Sequence, residues 1–385
     1  MISFLEKKNC CGCSACASVC PCNAIAMNSD DEGFLYPVVD ETVCIGCNKC
    51  VQSCPVINSS EKDGEKPSAY WAINADEKVR AESSSGGVFS VLAENTIKSG
   101  GIVFGAAMSD NCRSVRHISV DSIDDLYKLR GSKYVQSDIS DSYIFVKKYL
   151  DNGKTVLFSG TPCQIEGLLG FLGKNYDNLI CVDLICHGVP SPKVWGKYVK
   201  FVEKKTTSET ESVSFRSKRY GWHKYSLLFS FKDKTEKINI LPDDLFMKSF
   251  LSDICLRPSC YSCKFKKMSR KSDITLADFW GVERLIPEID DDKGVSLVIV
   301  HSLKGENLFG TVGPCMKSGI TDLDTAIGYN TSMIRSVKPH RKRKMFFEKL
   351  DVMDFPELVN KYANISLYRK IRSKLGVIKR KLLGE

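Results

Sequence analysis

Twice within its first 55 residues this chain reads C-x-x-C-x-x-C-x-x-x-C-P: Cys10, Cys13, Cys16, Cys20 and Pro21, then Cys44, Cys47, Cys50, Cys54 and Pro55. Thiols at that density leave little apolar material for a core, so the segment has to fold around something that thiols bind. Three cysteines spaced by three on a tight turn converge on one small body, and a fourth must arrive from elsewhere. The proline after each run diverts the chain and removes a backbone donor. Structural zinc uses two separated C-x-x-C knuckles, which these runs are not. Disulfides belong to oxidising compartments, and the opening residues do not read as a basic-then-apolar leader. Iron–sulfur cubanes are what the spacing fits.

The doubled run resembles the bacterial two-cluster ferredoxins, in which the fourth cysteine of each run ligates the other cluster. On that pattern Cys10, Cys13, Cys16 and Cys54 hold one 4Fe–4S cluster, and Cys44, Cys47, Cys50 and Cys20 hold the other. Gly12, Ser14, Ala15, Ala17 and Gly46 let backbone amides approach the sulfides. Cys11 and Cys22 remain unassigned. Electrons are expected to move through such a segment one at a time.

With 385 residues, the chain is too long to be a ferredoxin alone and has room for one large domain or two beyond it. Its apolar and charged fractions are those of a globular protein. No apolar run approaches the ~20 residues of a membrane span. Eighteen cysteines without a leader point to a reducing, cytoplasmic compartment. The formal charge of +9 is uneven, because residues 365–385 carry seven Lys or Arg and one acid. That stretch also sets Tyr368, Ile371, Leu375, Ile378 and Leu382 on one helical face. It reads as a terminal helix docked with a solvated basic face, or as a peripheral contact with the inner face of a membrane. No basic stripe interleaved with aromatics appears elsewhere, which argues against nucleic acid.

The predicted organisation is α+β: a small ferredoxin-type domain with two 4Fe–4S sites (1–58), a polar linker (59–68), and an α/β layered domain with a mixed sheet. The layered domain has an N-terminal part (69–150) and a C-terminal part (151–340), followed by a basic tail (341–385). Alternation predicts strands at Ala69–Ile73, Gly101–Ala107, Thr155–Phe158 and Leu179–Ile185. Helices are predicted at Gly87–Lys98, Asp141–Leu150, Pro162–Leu172 and Pro192–Lys204. From about residue 210 the texture turns antiparallel, with short strands at Ser212–Arg216, Tyr225–Phe231 and Lys237–Leu241. A helix (Asp243–Ser252), a cysteine-rich loop and a strand (Ser296–His301) follow.

Further cysteines sit where such domains build sites. Cys163 lies in GTPCQ between a strand and a helix. Cys186 ends a strand in Ile185-Cys186-His187-Gly188. Cys260 and Cys263 form a C-x-x-C, with Cys255 five residues earlier. Zinc and an iron–sulfur cluster both suit such ligands, and a neighbouring electron relay favours the cluster.

Ser83-Ser84-Ser85-Gly86-Gly87, Gly131-Ser132-Lys133-Tyr134-Val135, the GTPCQ stretch, Ile185–Pro190, and Cys260-Tyr-Ser-Cys263 followed by Ala277–Gly281 occur in this order. Together they resemble the beta subunit family of coenzyme F420 hydrogenases and dehydrogenases, over roughly residues 10–340. The resemblance implies an iron–sulfur flavoprotein in which Cys163, Cys186, Cys260 and Cys263 hold a third cluster beside a flavin. FAD is the expected flavin, with FMN as the alternative. Cys255 is a departure that could replace one ligand, Cys163 above all. Ser83, Ser84, Ser85, Gly86 and Gly87 precede a helix and suit a phosphate; an N-cap with turn glycines explains them too. Ser132 and Lys133, and Lys293 with Ser296, are further cofactor candidates, though a lone lysine is more often a solvated charge. His187 is the catalytic candidate, as a proton donor or as a hydrogen-bond partner of a cluster sulfide. Arg216, Trp222 and His223 form a basic, aromatic patch suited to an anionic group or to a surface hairpin.

The expected activity is an oxidoreductase that relays electrons from a one-electron protein partner such as ferredoxin, through the clusters to a flavin that exchanges hydride with a small organic molecule or F420. The alternative is an electron-transfer beta subunit whose substrate site lies on a partner chain. Non-catalytic use of the clusters as structural staples is a further rival. Direction of electron flow and homo-oligomerisation stay open at this level.

Overall fold

The computed structural model describes residues 2–59, 66–241 and 243–363. Residues 365–385, the basic helical face, and most of the predicted linker lie outside the described residues.

The cysteine runs form a small module around the hairpin β1 (Ile25–Ser29) and β2 (Leu35–Val39). The doubled motif gives a doubled backbone. Gly12 and Gly46 take φ of 68° and 69°, and Ser14 and Asn48 take φ of 63° and 58°. Each pair leads into a four-residue helix, Ala15–Ser18 or Lys49–Gln52. A left-handed turn of this kind costs a glycine little, so the repeat C-G-C-S and I-G-C-N can wrap its thiols inward twice.

The remaining strands are β3 (Ser68–Asn74), β4 (Ile102–Met108), β5 (Val115–Val120), β6 (Ser137–Asp138), β7 (Val156–Gly160), β8 (Leu179–Leu184), β9 (Thr210–Ser217), β10 (Ser226–Phe231), β11 (Glu236–Ile240), β12 (Ile274–Asp278), β13 (Ser296–Val300) and β14 (Met316–Ile320). Nine of them form one mixed sheet in the order β14-β3-β13-β12-β8-β7-β4-β5-β6. Its centre is parallel: β4 pairs with β7, β7 with β8, and β8 with β12. Towards the flanks β12–β13, β13–β3, β3–β14 and β4–β5 pair antiparallel, and the two-residue β6 ends one edge parallel to β5. β9, β10 and β11 make a separate antiparallel sheet, as the shift in texture predicts. The fold is therefore α+β with a mixed sheet behind a ferredoxin-type module.

The central strands are buried on both faces; all five residues of β13 are buried, which is why they read as continuous apolar runs. Helices cover the sheet, with Leu92 and Val91 of Val88–Lys98 packed against Val103, Leu157 and Val298. A second core gathers Trp195, Tyr198, Phe215, Phe229 and Phe246, where Pro192–Thr206 meets the antiparallel sheet. Because β7, β8 and β12 are parallel, their carboxyl ends deliver Thr161–Cys163, Ile185–His187 and Phe279–Trp280 to one edge. β3 delivers the loop before Gly87 to the same edge, and open sheets bind ligands there.

No helix among the described residues is long and apolar enough to cross a membrane.

Candidate functional site

Four cavities lie along that edge and through the module. The outermost is lined by Cys20, Cys44, Cys47 and Cys50, together with Cys22. The next is lined by Cys10, Cys13, Cys16 and Cys54, with Cys11 on its wall. Each quartet takes three thiols from one run and the fourth from the other. Burial, and then the neighbouring Cys10 and Cys54, push the Cys16 thiol up to about 12. Thiols crowded this way lose protons only to a bound cation, and four of them suit a 4Fe–4S body. Cys47 is exposed whereas Cys13, Cys16 and Cys54 are buried, so the quartets are an outer and an inner site.

A third cavity is lined by Cys163, Cys186, Cys260 and Cys263, and by Cys11. Cys163 sits in the first turn of the helix Pro162–Leu172. Pro162 opens that helix, and Gln164 Oε1 accepts from the Thr161 amide at 2.9 Å. Cys186 follows β8. Cys260 and Cys263 belong to a short turn whose Cys260 sulfur accepts from Val189 N at 3.5 Å. Burial pushes Cys186 up to about 12 and raises Cys263. A hydrogen bond with Cys11, then burial, raises Cys163. Cys255 lies elsewhere, fully buried in the aromatic core, with its carbonyl accepting from Ser191 N at 2.9 Å. It is not among the residues around the third cavity. Among the described residues no three His, Cys, Asp or Glu side chains close to the spacing of one bound ion; the thiols stand around cavities instead.

The fourth cavity is large, about 490 Å³, inside the range of small-molecule and cofactor sites. It shares Cys163, Cys186, Gly188 and Val189 with the third. Ser83, Ser84, Ser85, Gly87, Ser132, Lys133, His187 and Ser296 all line it. The serines are partly spoken for: Ser83 Oγ donates to Val79 O, Ser85 Oγ donates to Val295 O, and Ser84 Oγ accepts from Ser132 N at 2.8 Å. Gly86 is a close approach rather than lining, because a Cβ there would stand 2.3 Å from Ala72 O and 2.7 Å from Ser296 N. Its amide donates to Ser296 Oγ. The N-terminus of the eleven-residue helix Val88–Lys98 opens on the cavity through Val88, Phe89 and Ser90, a setting for an anion. Burial pulls the Lys133 ammonium down to about 7; its Nζ donates to the carbonyls of Lys128 and Arg130 at 3.1 and 2.9 Å. Lys293 turns away from the cavity to pair with Glu77 at 3.0 Å on the surface.

His187 is partly exposed into the cavity, and its Nε2 meets the buried Asp253 carboxylate at 2.7 Å. That contact leaves Nδ1 as the nitrogen free to exchange a proton. Arg216 is buried on the cavity wall. It donates to both Asp278 oxygens, and Tyr225 lies 3.7 Å under its guanidinium. Trp222, in the loop that joins β9 to its antiparallel partner β10, is fully buried and stacks on Trp280 at 4.9 Å, so this hairpin turns its Trp222 and Arg216 side chains inward. His223 lies outside, paired with Asp290.

Sequence reasoning missed several lining residues. His117, pulled down to about 4 by burial, donates from Nε2 to Ser159 O at 3.0 Å, which leaves Nδ1 to accept from Ser137 Oγ at 3.0 Å. Arg130 lines the cavity directly beside the Gly131-Ser132-Lys133 motif, a position that could have been found from the sequence. Thr161, whose Oγ1 is 3.1 Å from Cys163 Sγ, was visible in GTPCQ.

Residues 153–325 match the family described as the C terminus of the coenzyme F420 hydrogenase/dehydrogenase beta subunit, and residues 9–58 match the 4Fe-4S dicluster domain. No curated protein matches the chain. Among solved structures, a chain from a xenon-derivatised F420-reducing NiFe hydrogenase complex of Methanosarcina barkeri is similar at 16% identity. The match covers 75% of this chain and 95% of that one, with a TM-score of 0.49. Residues 153–325 are thus similar to the C-terminal part of coenzyme F420 hydrogenase/dehydrogenase beta subunits, and residues 9–58 are a 4Fe–4S dicluster domain.

Proposed function

We propose that the chain is an iron–sulfur flavoprotein oxidoreductase with a third 4Fe–4S cluster on Cys163, Cys186, Cys260 and Cys263 and a flavin, FAD, in the large cavity. One observation carries this reading: the thiol-lined third cavity and the 490 Å³ cavity share Cys163 and Cys186 as a common wall. Bound there, clusters supply one-electron transfer, and a flavin supplies its conversion to hydride chemistry.

The chain's residues have distinct tasks in this reading. Cys11 lines both the inner and the third cavity, so the two sites stand wall to wall. Ser84, the N-terminus of Val88–Lys98 and Lys133 hold phosphate. Arg216, Tyr225 and Trp280 enclose the ring end and keep water out. His187, oriented by Asp253, holds a proton at Nδ1 for the reacting pair. Reduced ferredoxin is the fitting one-electron donor, and a small organic molecule or F420 the fitting acceptor.

The family's description names a beta subunit, which supports a second reading, with the substrate site on a partner chain. Turnover by the purified protein alone, with dithionite or reduced ferredoxin and F420 or other acceptors, supports the free-standing enzyme. Flavin reduction without turnover supports the second reading. Absence of any bound, reducible flavin contradicts both.

A further inference from the structure

Arg257 is completely buried, at 0% exposure, between the cysteine module and the body. Its Nε donates to Cys10 O at 2.8 Å, one terminal nitrogen to Gln136 Oε1 at 3.0 Å, and the other to Leu35 O at 2.8 Å. That last nitrogen also stands 3.8 Å from Cys10 Sγ. Tyr36 lies 4.2 Å below the guanidinium. Every one of these partners is neutral or a thiol. Among the described residues no carboxylate pairs with Arg257. The two acids near Tyr36 are already committed, Asp30 to Lys7 at 2.8 Å and Glu32 to Arg343 at 2.8 Å. A buried ion without a counter-charge costs several kcal/mol, so its partner should be sought in what the site binds. The chain makes room for it at Gly12, where a Cβ would stand 2.6 Å from the guanidinium.

We infer that the counter-ion of Arg257 is the net negative charge of the 4Fe–4S cluster at the inner quartet, and that Arg257 raises the reduction potential of that cluster above that of the outer one. A fixed cation and N–H donors at a ligand sulfur both favour the reduced, more negative state. The outer quartet has only the solvent-exposed Lys49 among its lining residues, and an exposed charge is screened. An electron entering at the exposed outer site therefore settles on the inner one, the site that shares Cys11 with the third cavity. Arg257 is a positioning residue, acting through Cys10. The inference rests on the dicluster domain and is independent of the third cluster and the flavin.

The test is a potentiometric titration of the anaerobically purified full chain, followed by electron paramagnetic resonance, with Cys47→Ser used to assign the outer signal. Two resolvable signals that persist in Cys186→Ser, which removes a ligand of the third quartet, one of them lost in Cys47→Ser, establish both clusters; their absence overturns the reading of the quartets themselves. Gln136→Glu sets a carboxylate against the guanidinium, and Arg257→Met removes the cation. Each should disfavour inner-cluster reduction at least tenfold, 59 mV for a one-electron couple, with the outer signal unmoved. Arg257→Lys should stay within about threefold of the unaltered protein. An inner signal that stays put in Gln136→Glu, or both signals moving together, overturns the inference. If Arg257→Met loses its inner iron, Gln136→Glu decides.

Discussion

Thr161 Oγ1 stands 3.1 Å from Cys163 Sγ while the neighbouring amide N–H occupies Gln164 Oε1. The hydroxyl also stands 3.1 Å from that same Oε1, so its one proton has two acceptors, and a metal-bound thiolate, being the charged one, draws it to the sulfur. If the third quartet holds a cluster, that donor favours its reduced state. Thr161→Val should make reduction of that cluster harder by on the order of 1 kcal/mol, with Thr161→Ser restoring it, read as a shift in the redox titration. Lys133 carries a second prediction. Its ammonium, ordinarily near 10.5, is pulled down to about 7 by burial. Above pH 7 the flavin-free protein must take up a proton there to meet a phosphate. Flavin affinity should therefore fall as pH rises above 7, by at most about tenfold per unit, and Lys133→Met should bind weakly with no such slope. Binding isotherms across pH 6–9 check this. At this scale the eight cysteines of the runs are legible because ligand spacing is local. Lys293 is misleading in the sequence because nothing local distinguishes a surface lysine from a buried one. Arg257 is silent there because Cys10, Leu35 and Gln136 lie more than a hundred residues away.

The helix Pro162–Leu172 joins the two halves of the molecule. Its apolar positions Ile165, Leu168 and Leu172 are buried at spacings of three and four, and its opposite surface meets the cysteine module. Two glycines allow that approach. A Cβ at Gly167 would stand 2.8 Å from Cys13 Cβ, and one at Gly170 would stand 2.3 Å from Ser53 O. Backbone cannot yield as a flexible side chain can, so Gly170→Ala should destabilise the docked module by about 1–3 kcal/mol. Thermal unfolding and limited proteolysis near residue 59 would show it, and an unchanged midpoint would contradict the close contact. The helix bounds themselves are legible, from proline at the first turn to Gly173 at φ 65° after the last. Less legible are β5 and β14, short half-exposed strands with weak alternation. β12 is hard to see because its last two residues, Ala277 and Asp278, open the Ala277–Gly281 motif and leave only a short apolar run before it.

For the whole molecule, the order of sites matters more than any one of them. Outer quartet, inner quartet, third quartet and large cavity run from exposed thiols at Cys47 to a pocket enclosed by the sheet edge. The α+β class and mixed sheet are visible in the alternation of apolar runs, but which strand ends converge depends on long-range pairing that no window of sequence carries. The most direct measurement is iron, sulfide and flavin content of the anaerobically purified chain, beside the Cys186→Ser, Cys263→Ser double variant. Three cubanes imply about twelve iron per chain, with one flavin, falling to about eight iron in the double variant. About eight iron in both, or protein carrying zinc and no flavin, would contradict a third cluster feeding a flavin.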